Sequence, residues 1–385
     1  MIHQNRLRFF NDCLLNYTHQ YPLSRYLKEF FKANKQMGSK DRKFLSSLMY
    51  ANFRMGDVFK GMDVNERVII ASYLVNELDI EFIKHFNAEL GELPSDDLNT
   101  RIENVKKIYS SFNLNEVFPL SAEISSEIDR EEFIKSHFIQ PDLFLRAINN
   151  KHEKLISYLD TFNIAYEKEG RTIRIKNATR LEEPAEYLFE VQDKSSQAVI
   201  DYLDPKPNEY WWDCCAASGG KSLLLKELEP DCYLMCSDVR ETILKNLDER
   251  FAKAGIQKYK RRLIDLTAEI NSFEPETFDG IILDAPCTGS GTWSRTPERI
   301  AEVDLEKVKY FAELQYKIAD NAIQFLKKGK KFIYITCSVF SKENEEMVEK
   351  LVKEHSLKVL SQGYVKGFAD RADSMFVAVI SKCDN

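Results

Sequence analysis

Two cysteines in this chain stand where an apolar run gives way to a polar turn. Cys287 follows FDGIILDAP and opens into Thr288-Gly289-Ser290-Gly291. Cys337 follows KKFIYIT and precedes Ser338. A lone cysteine is more often a small buried apolar residue than a nucleophile. A thiol in a polar turn just past a strand is a better candidate for attack on carbon. Neither stretch contains a histidine, so a local Cys–His pair has no support. Asp284, three residues before Cys287, adds a carboxyl group to the same strand end.

A third feature lies upstream. EYWWDCC runs into Cys215-Ala216-Ala217-Ser218-Gly219-Gly220-Lys221, a turn of small residues before a helix-like run. A phosphate loop of the form GxxxxGK followed by Ser or Thr needs glycine at 215, where Cys215 stands. Small residues between strand and helix still let backbone approach a ligand, although a packing turn looks the same. Asp238 ends the next strand-like run, and Asp265 in RLIDL is read as ending the third. An acid about 20 residues past such a turn commonly holds a ribose, yet it also serves as a helix cap. Turn and acids together favour an adenosine-containing cofactor.

An adenosine cofactor, a carboxyl group and two thiols, with neither metal nor histidine, prompt one hypothesis. Carbon 5 of cytosine is a poor nucleophile until a thiolate adds to carbon 6. The resulting enamine-like carbon attacks an electrophilic methyl group. A nearby carboxyl group favours the charged intermediate. A second thiol would assist release of the adduct.

Composition narrows the frame. Of 385 residues, 44% are apolar and 30% charged, as in ordinary globular chains. No apolar run reaches the ~18 residues that span a bilayer, and the first residues lack a secretory cleavage pattern. A cytoplasmic protein without a membrane partner is expected. The eight cysteines form no CxxC pair and no zinc-type spacing, so neither a disulfide framework nor a metal is expected. Net charge is −7, which argues mildly against nucleic acid. Basic clusters at Lys40, Arg42, Lys43, at Lys253 to Arg262 and at Lys327 to Lys331 read individually as solvated faces.

The elements that would position these groups fall into three parts. Residues 1–140 carry helical periodicity, with Ser39 expected to cap a helix. Residues 141–190 hold strand-like DLFLRAI and RTIRI around the helical HEKLISYLDTF, a small α+β module. Residues 191–385 alternate strand and helix, predicting a mostly parallel α/β sheet whose site lies at the carboxyl ends of its strands.

CAASGGK, DAPCTGSG and TCSVFSKEN resemble motifs of the RNA cytosine-5 methyltransferases. SKDRKFLSSLMYANFR and PDLFLRAI resemble the NusB-like helical domain and connecting module of the bacterial RsmB/Sun group, and VQDKSSQ the stretch preceding the cofactor strand. The resemblance implies an all-α NusB-like bundle that binds RNA, then the connecting module, then a Rossmann-like domain using S-adenosylmethionine. By position it makes Cys337 the nucleophile and Cys287 the thiol of product release. Asp284 would face base and cofactor, Cys215 to Lys221 would form the cofactor loop, Asp238 would hold ribose and Asp265 would lie near adenine. Departures are Ser218 for the usual Pro, Ile148 for Asn, and Ser374 and Met375 for Gly and an aromatic. The expectation is 5-methylcytosine formation in small-subunit ribosomal RNA by a monomer, with the basic clusters lining the RNA path. Methylation of transfer RNA or DNA, or a non-catalytic RNA-binding assembly role, are the alternatives.

Overall fold

The computed structural model describes residues 2–184, 186–268, 270 and 273–383. The chain divides into two compact units. One comprises Met1–Ala122, Asp129–Gln140 and Thr292–Asp304; the other comprises Glu123–Ile128, Pro141–Gly291 and Leu305–Asn385.

The first unit is helical. It contains α1 (Ile2–Leu15), α2 (Leu23–Ala33), α3 (Ser39–Arg54), α4 (Val64–Val75), α5 (Ile80–Phe86), α6 (Ala88–Gly91), α7 (Leu98–Ile108) and α8 (Arg130–Ser136). Asp63, Asp79, Asp97 and Asp129 cap four of these helices by accepting from backbone amides of the first turn. Ser39 does not act as expected. It is the first residue inside α3, Gly38 takes the cap position, and no side chain caps that end. The core includes Phe10, Leu48, Val68, Ile70, Leu74 and Phe82, all buried. Thr292–Asp304 supplies Trp293, whose ring lies 5.2 Å from Phe118, and Glu298, which accepts from the Leu23 amide at 3.0 Å.

The second unit holds two sheets. The smaller has order β2-β3-β1-β4, all antiparallel, from β1 (Leu143–Ala147), β2 (Tyr166–Glu169), β3 (Thr172–Ile175) and β4 (Phe189–Val191), with α9 (His152–Thr161) after β1. The larger follows α10 (Lys194–Ala198) and is built from β5 (Tyr210–Asp213), β6 (Tyr233–Asp238), β7 (Lys260–Leu263), β8 (Phe278–Asp284), β9 (Leu326–Thr336), β10 (Leu357–Lys366) and β11 (Ser374–Lys382). Its order is β10-β11-β9-β8-β5-β6-β7. Pairings among β5 to β9 are parallel, and β11 runs antiparallel between β9 and β10. The closing β10–β11 hairpin is absent from the sequence reading, where SMFVAVI is noted only for its departures.

Helices α11 (Gly220–Leu228), α12 (Glu241–Ala254), α13 (Leu305–Ile323) and α14 (Glu345–Glu354) cover this sheet. Side chains alternate between its faces. Trp211, Ile282, Ile333 and Ile335 pack with Leu224 of α11 and Leu247 and Phe251 of α12. Trp212, Ile281, Leu283 and Tyr334 pack with Ile318 and Ala322 of α13 and Leu351 of α14. Burial on both faces explains why β8 and β9 read as continuous apolar runs. β5 has β6 on one side and β8 on the other, so the crevice at the switch in strand order opens at its carboxyl end.

Candidate active site

The glycine turn leaves β5 at that crevice. Gly219 has φ of 84°, and a Cβ there would lie 2.8 Å from Phe251 and 3.0 Å from Leu247. Glycine is therefore required both for the left-handed backbone and for close packing on α12. Ala217 also has positive φ, and its amide donates to Asp238 Oδ2 at 3.1 Å. Ser218, in place of the family's proline, is pinned by Arg250 at 2.7 Å to both its carbonyl and its hydroxyl. Glu190 on β4 holds the same guanidinium at 2.6 Å. The departure therefore exchanges ring rigidity for a charge-assisted tether.

Lys221 joins this turn to the thiol side. Its Nζ lies 3.1 Å from Asp284 Oδ2 and donates to Ser196 at 2.8 Å. The lysine side chain is 7% exposed and the aspartate 34%. Asp284 thus keeps an open edge while its charge is partnered. Asp238 ends β6 as expected, with both oxygens held by exposed Arg240 at 2.9 and 3.2 Å. Asp265 does not end β7, which stops at Leu263. It lies in the following turn, exposed, and accepts from the amide and hydroxyl of Thr267 at 2.9 and 2.6 Å. Those bonds hold its carboxyl below the usual range. The run RLIDL misled because its apolar pattern continues into the turn.

Could these residues hold an adenosine cofactor? Ala217 and Gly220 are half-buried at the turn, and Val239 and Leu263 expose apolar surface at the ends of β6 and β7. Beneath the turn, Asp213 is buried. Its Oδ2 accepts from Ser222 at 2.6 Å, while Oδ1 has no partner among the described residues. Burial pushes the Asp213 carboxyl up to about 7, with Asp284 and Asp238 adding to the shift. A turn of small residues, a strand-end acid and apolar surface fit such a group.

The two thiols, far apart in sequence, meet. Cys287 Sγ and Cys337 Sγ are 3.3 Å apart, and both residues are half-buried. Register explains the meeting: Asp284 pairs with Ile335, so the chains leave β8 and β9 side by side. The Ala285 amide donates to Ile335 O at 2.8 Å and the Gly291 amide to Cys337 O at 2.9 Å. A Cβ on Gly291 would lie 2.3 Å from Ser374 O, so only glycine permits that approach. The Cys337 contact and burial push the Cys287 thiol well above its ordinary value.

Other cysteines divide cleanly. Cys232 and Cys236 are core residues, 2% and 0% exposed. Among the described residues no cluster of three or more His, Cys, Asp or Glu is arranged to hold a metal, and no helix is long and apolar enough to cross a membrane. The Lys327 to Lys331 cluster lies at the start of β9, roughly 25 Å along the strand from Cys337. There Lys327, Lys330 and Lys331 pair with Asp279, Glu209 and Asp204. The sequence reading also passed over Glu343, Gln315, Arg250 and Ser196. Glu343 sits inside the quoted TCSVFSKEN, but nothing in spacing distinguishes it from a surface acid.

Residues 200–375 match the sequence model of the family described as 16S rRNA methyltransferase RsmB/F. A ribosomal RNA small subunit methyltransferase B from Serratia proteamaculans is 29% identical over 252 residues, covering 59% of this chain and 54% of that protein. The enzyme of the same name from Shewanella oneidensis is 36% identical over 162 residues, covering 41% and 37%. The chain thus spans about half or less of the curated relatives it matches. In fold, it resembles the solved structure of PH0851, with TM-score 0.72 at 20% identity over 94% of this chain and 95% of that one. The glycine turn, the DAPC loop and the TCS turn all lie inside the stretch, residues 200–375, that is similar to the RsmB/F methyltransferases.

Proposed function

We propose that this protein is an S-adenosylmethionine-dependent RNA methyltransferase that forms 5-methylcytosine in small-subunit ribosomal RNA. The observation that carries the reading is the 3.3 Å approach of Cys287 and Cys337 at the same strand ends as Asp284. The cofactor is assigned to Cys215, Ala216, Ala217, Ser218, Gly219, Gly220 and Lys221, with Asp238 toward its ribose; Asp265, outside β7, is a weaker adenine neighbour. It supplies an electrophilic methyl group. RNA contact is assigned to the helical residues 1–140.

Cys337, as thiolate, adds to carbon 6 of an unstacked cytosine, and electron density moves to carbon 5. Asp284, fixed by Lys221, hydrogen-bonds the pyrimidine edge and favours that charge distribution. Once carbon 5 carries the methyl group, it loses its proton to a base. The carbon 6–sulfur bond then breaks, returning the electron pair to Cys337. Cys287, held as a neutral thiol against Cys337, is placed to protect the departing sulfur from re-addition by hydrogen bonding to it. The base must leave its stack to enter, because neither ring face is reachable within a helix.

The test is methyl incorporation from labelled cofactor into unmodified ribosomal RNA, transfer RNA and DNA, with bisulfite sequencing to locate the product. Label in cytosine of small-subunit ribosomal RNA is expected. Label confined to transfer RNA or DNA overturns the substrate assignment, and no label with any nucleic acid overturns the reaction.

A further inference from the structure

The two thiol loops share a buried carboxylate that the sequence motifs do not single out. Glu343 is 0% exposed. It accepts from the Thr288 amide at 2.9 Å, the Thr288 hydroxyl at 2.6 Å, the Ser338 hydroxyl, and Gln315 Nε2 at 2.9 Å. Thr288 directly follows Cys287, and Ser338 directly follows Cys337. Gln315, on α13, also donates to Pro286 O at 2.9 Å, immediately before Cys287. Four donors on two oxygens are the environment of an ionised, acceptor-only carboxylate. Burial pulls its pKa upward against those donors. A buried charge with this many partners is costly to disturb from one side alone.

We propose that Glu343 is a positioning residue that fastens the Cys287 loop to the Cys337 loop, so that both sulfurs address one base. This deepens the methyltransferase reading and rests on it. A surface acid with a capping role would touch one loop; this one bonds to the residue after each thiol. Its charge also faces Cys287. The titratable groups around that thiol are Cys337 on the β9 turn, Glu343 before α14, and Tyr334 on β9. From α13 the neutral amide of Gln315 faces the carboxylate.

Three variants of the full chain separate the two effects. Glu343→Gln keeps the contacts, because the Thr288 and Ser338 hydroxyls can turn to accept from the new amide, and removes the charge. It is expected to methylate within about tenfold of the parent while the pH profile of iodoacetamide labelling at Cys287 moves to lower pH. Glu343→Ala frees both loops and is expected to lower kcat about 100-fold with little change in KM for RNA. Should that variant fail to fold, Thr288→Val combined with Ser338→Ala removes the hydroxyl donors and takes its place.

A readout independent of methylation is the rate at which dibromobimane bridges Cys287 and Cys337, mapped by peptide mass spectrometry. That rate should fall several-fold in the clamp-breaking variants and hold in Glu343→Gln. Unchanged bridging in the folded clamp-breaking variant overturns the proposal. So does a Cys287 labelling profile that does not move in Glu343→Gln. If the parent bridges rapidly, the variants do not, and no nucleic acid is methylated, the clamp stands and the methyltransferase reading falls.

Discussion

The glycine turn after β5 and the paired loops after β8 and β9 lie at the same end of one sheet, but they are held in opposite ways. The turn is shaped by backbone and close packing: left-handed φ at Ala217 and Gly219, with Gly219 pressed on Leu247 and Phe251. The thiol loops are shaped by side-chain hydrogen bonds that converge on Glu343 from α13, the β8 loop and the β9 turn. A turn made of small residues lets a ligand approach its backbone without side chains in the way. A loop fastened through hydroxyls and a buried carboxylate restricts where its two sulfurs can lie. Lys221 spans the two arrangements by bonding Ser196 and Asp284 together.

Substitutions ordered by size would break or sharpen this contrast. The largest effect belongs to Cys337→Ala. Methyl incorporation into RNA should fall by about 10⁴-fold or more, as for loss of a nucleophile elsewhere; full turnover would remove Cys337 from the reaction. Cys287→Ala should leave the first bond-forming step intact and stall release. The expected product is a denaturant-resistant protein–RNA adduct on a gel, and its absence under turnover conditions would count against the release role.

Lys221→Met tests the link between the two regions. It leaves Asp284 without its partner, so turnover should drop roughly 10- to 100-fold while the thiol-bridging rate holds. A fall in bridging as well would mean that the turn and the loops are one cooperative structure.

On the turn side, effects should appear in stability rather than in chemistry. Asp213 is raised from 3.8 to about 7. Between about pH 4 and pH 7 the folded chain keeps a proton that the unfolded chain releases, so the stability contributed by this group declines as pH rises and is gone above about pH 7. Asp213→Asn should therefore raise the denaturation midpoint relative to the parent at pH 8 more than at pH 5. Equal midpoint differences at the two pH values would show that Asp213 ionises normally. The smallest effect is Ser218→Ala, which deletes one of two contacts with Arg250 and should cost about 1 kcal/mol with methyl transfer nearly unchanged.

Much of the larger sheet was legible in the residues. Apolar runs ending in Asp213, Asp238, Asp284 and Thr336 became β5, β6, β8 and β9, because strands buried on both faces leave a continuous apolar signal. Local errors have local causes. Ser39 has the right chemistry for a cap, but the helix starts one residue earlier than that role needs. Asp265 follows an apolar pattern that outlasts its strand. The membership of Thr292–Asp304 in the helical unit carries no periodic signal at all.

Sequence alone determined which residues could act: two thiols past strands, acids at strand ends, and a turn of small residues before a helix. Those are properties of type and near-neighbour order, which the one-dimensional chain preserves. That Cys287 lies 3.3 Å from Cys337, that Lys221 steadies Asp284, and that Glu343 fastens both loops were decided only when β8 paired with β9 and α13 closed over them. Strand register and burial bring together groups 50 residues apart, and no local spacing encodes that meeting.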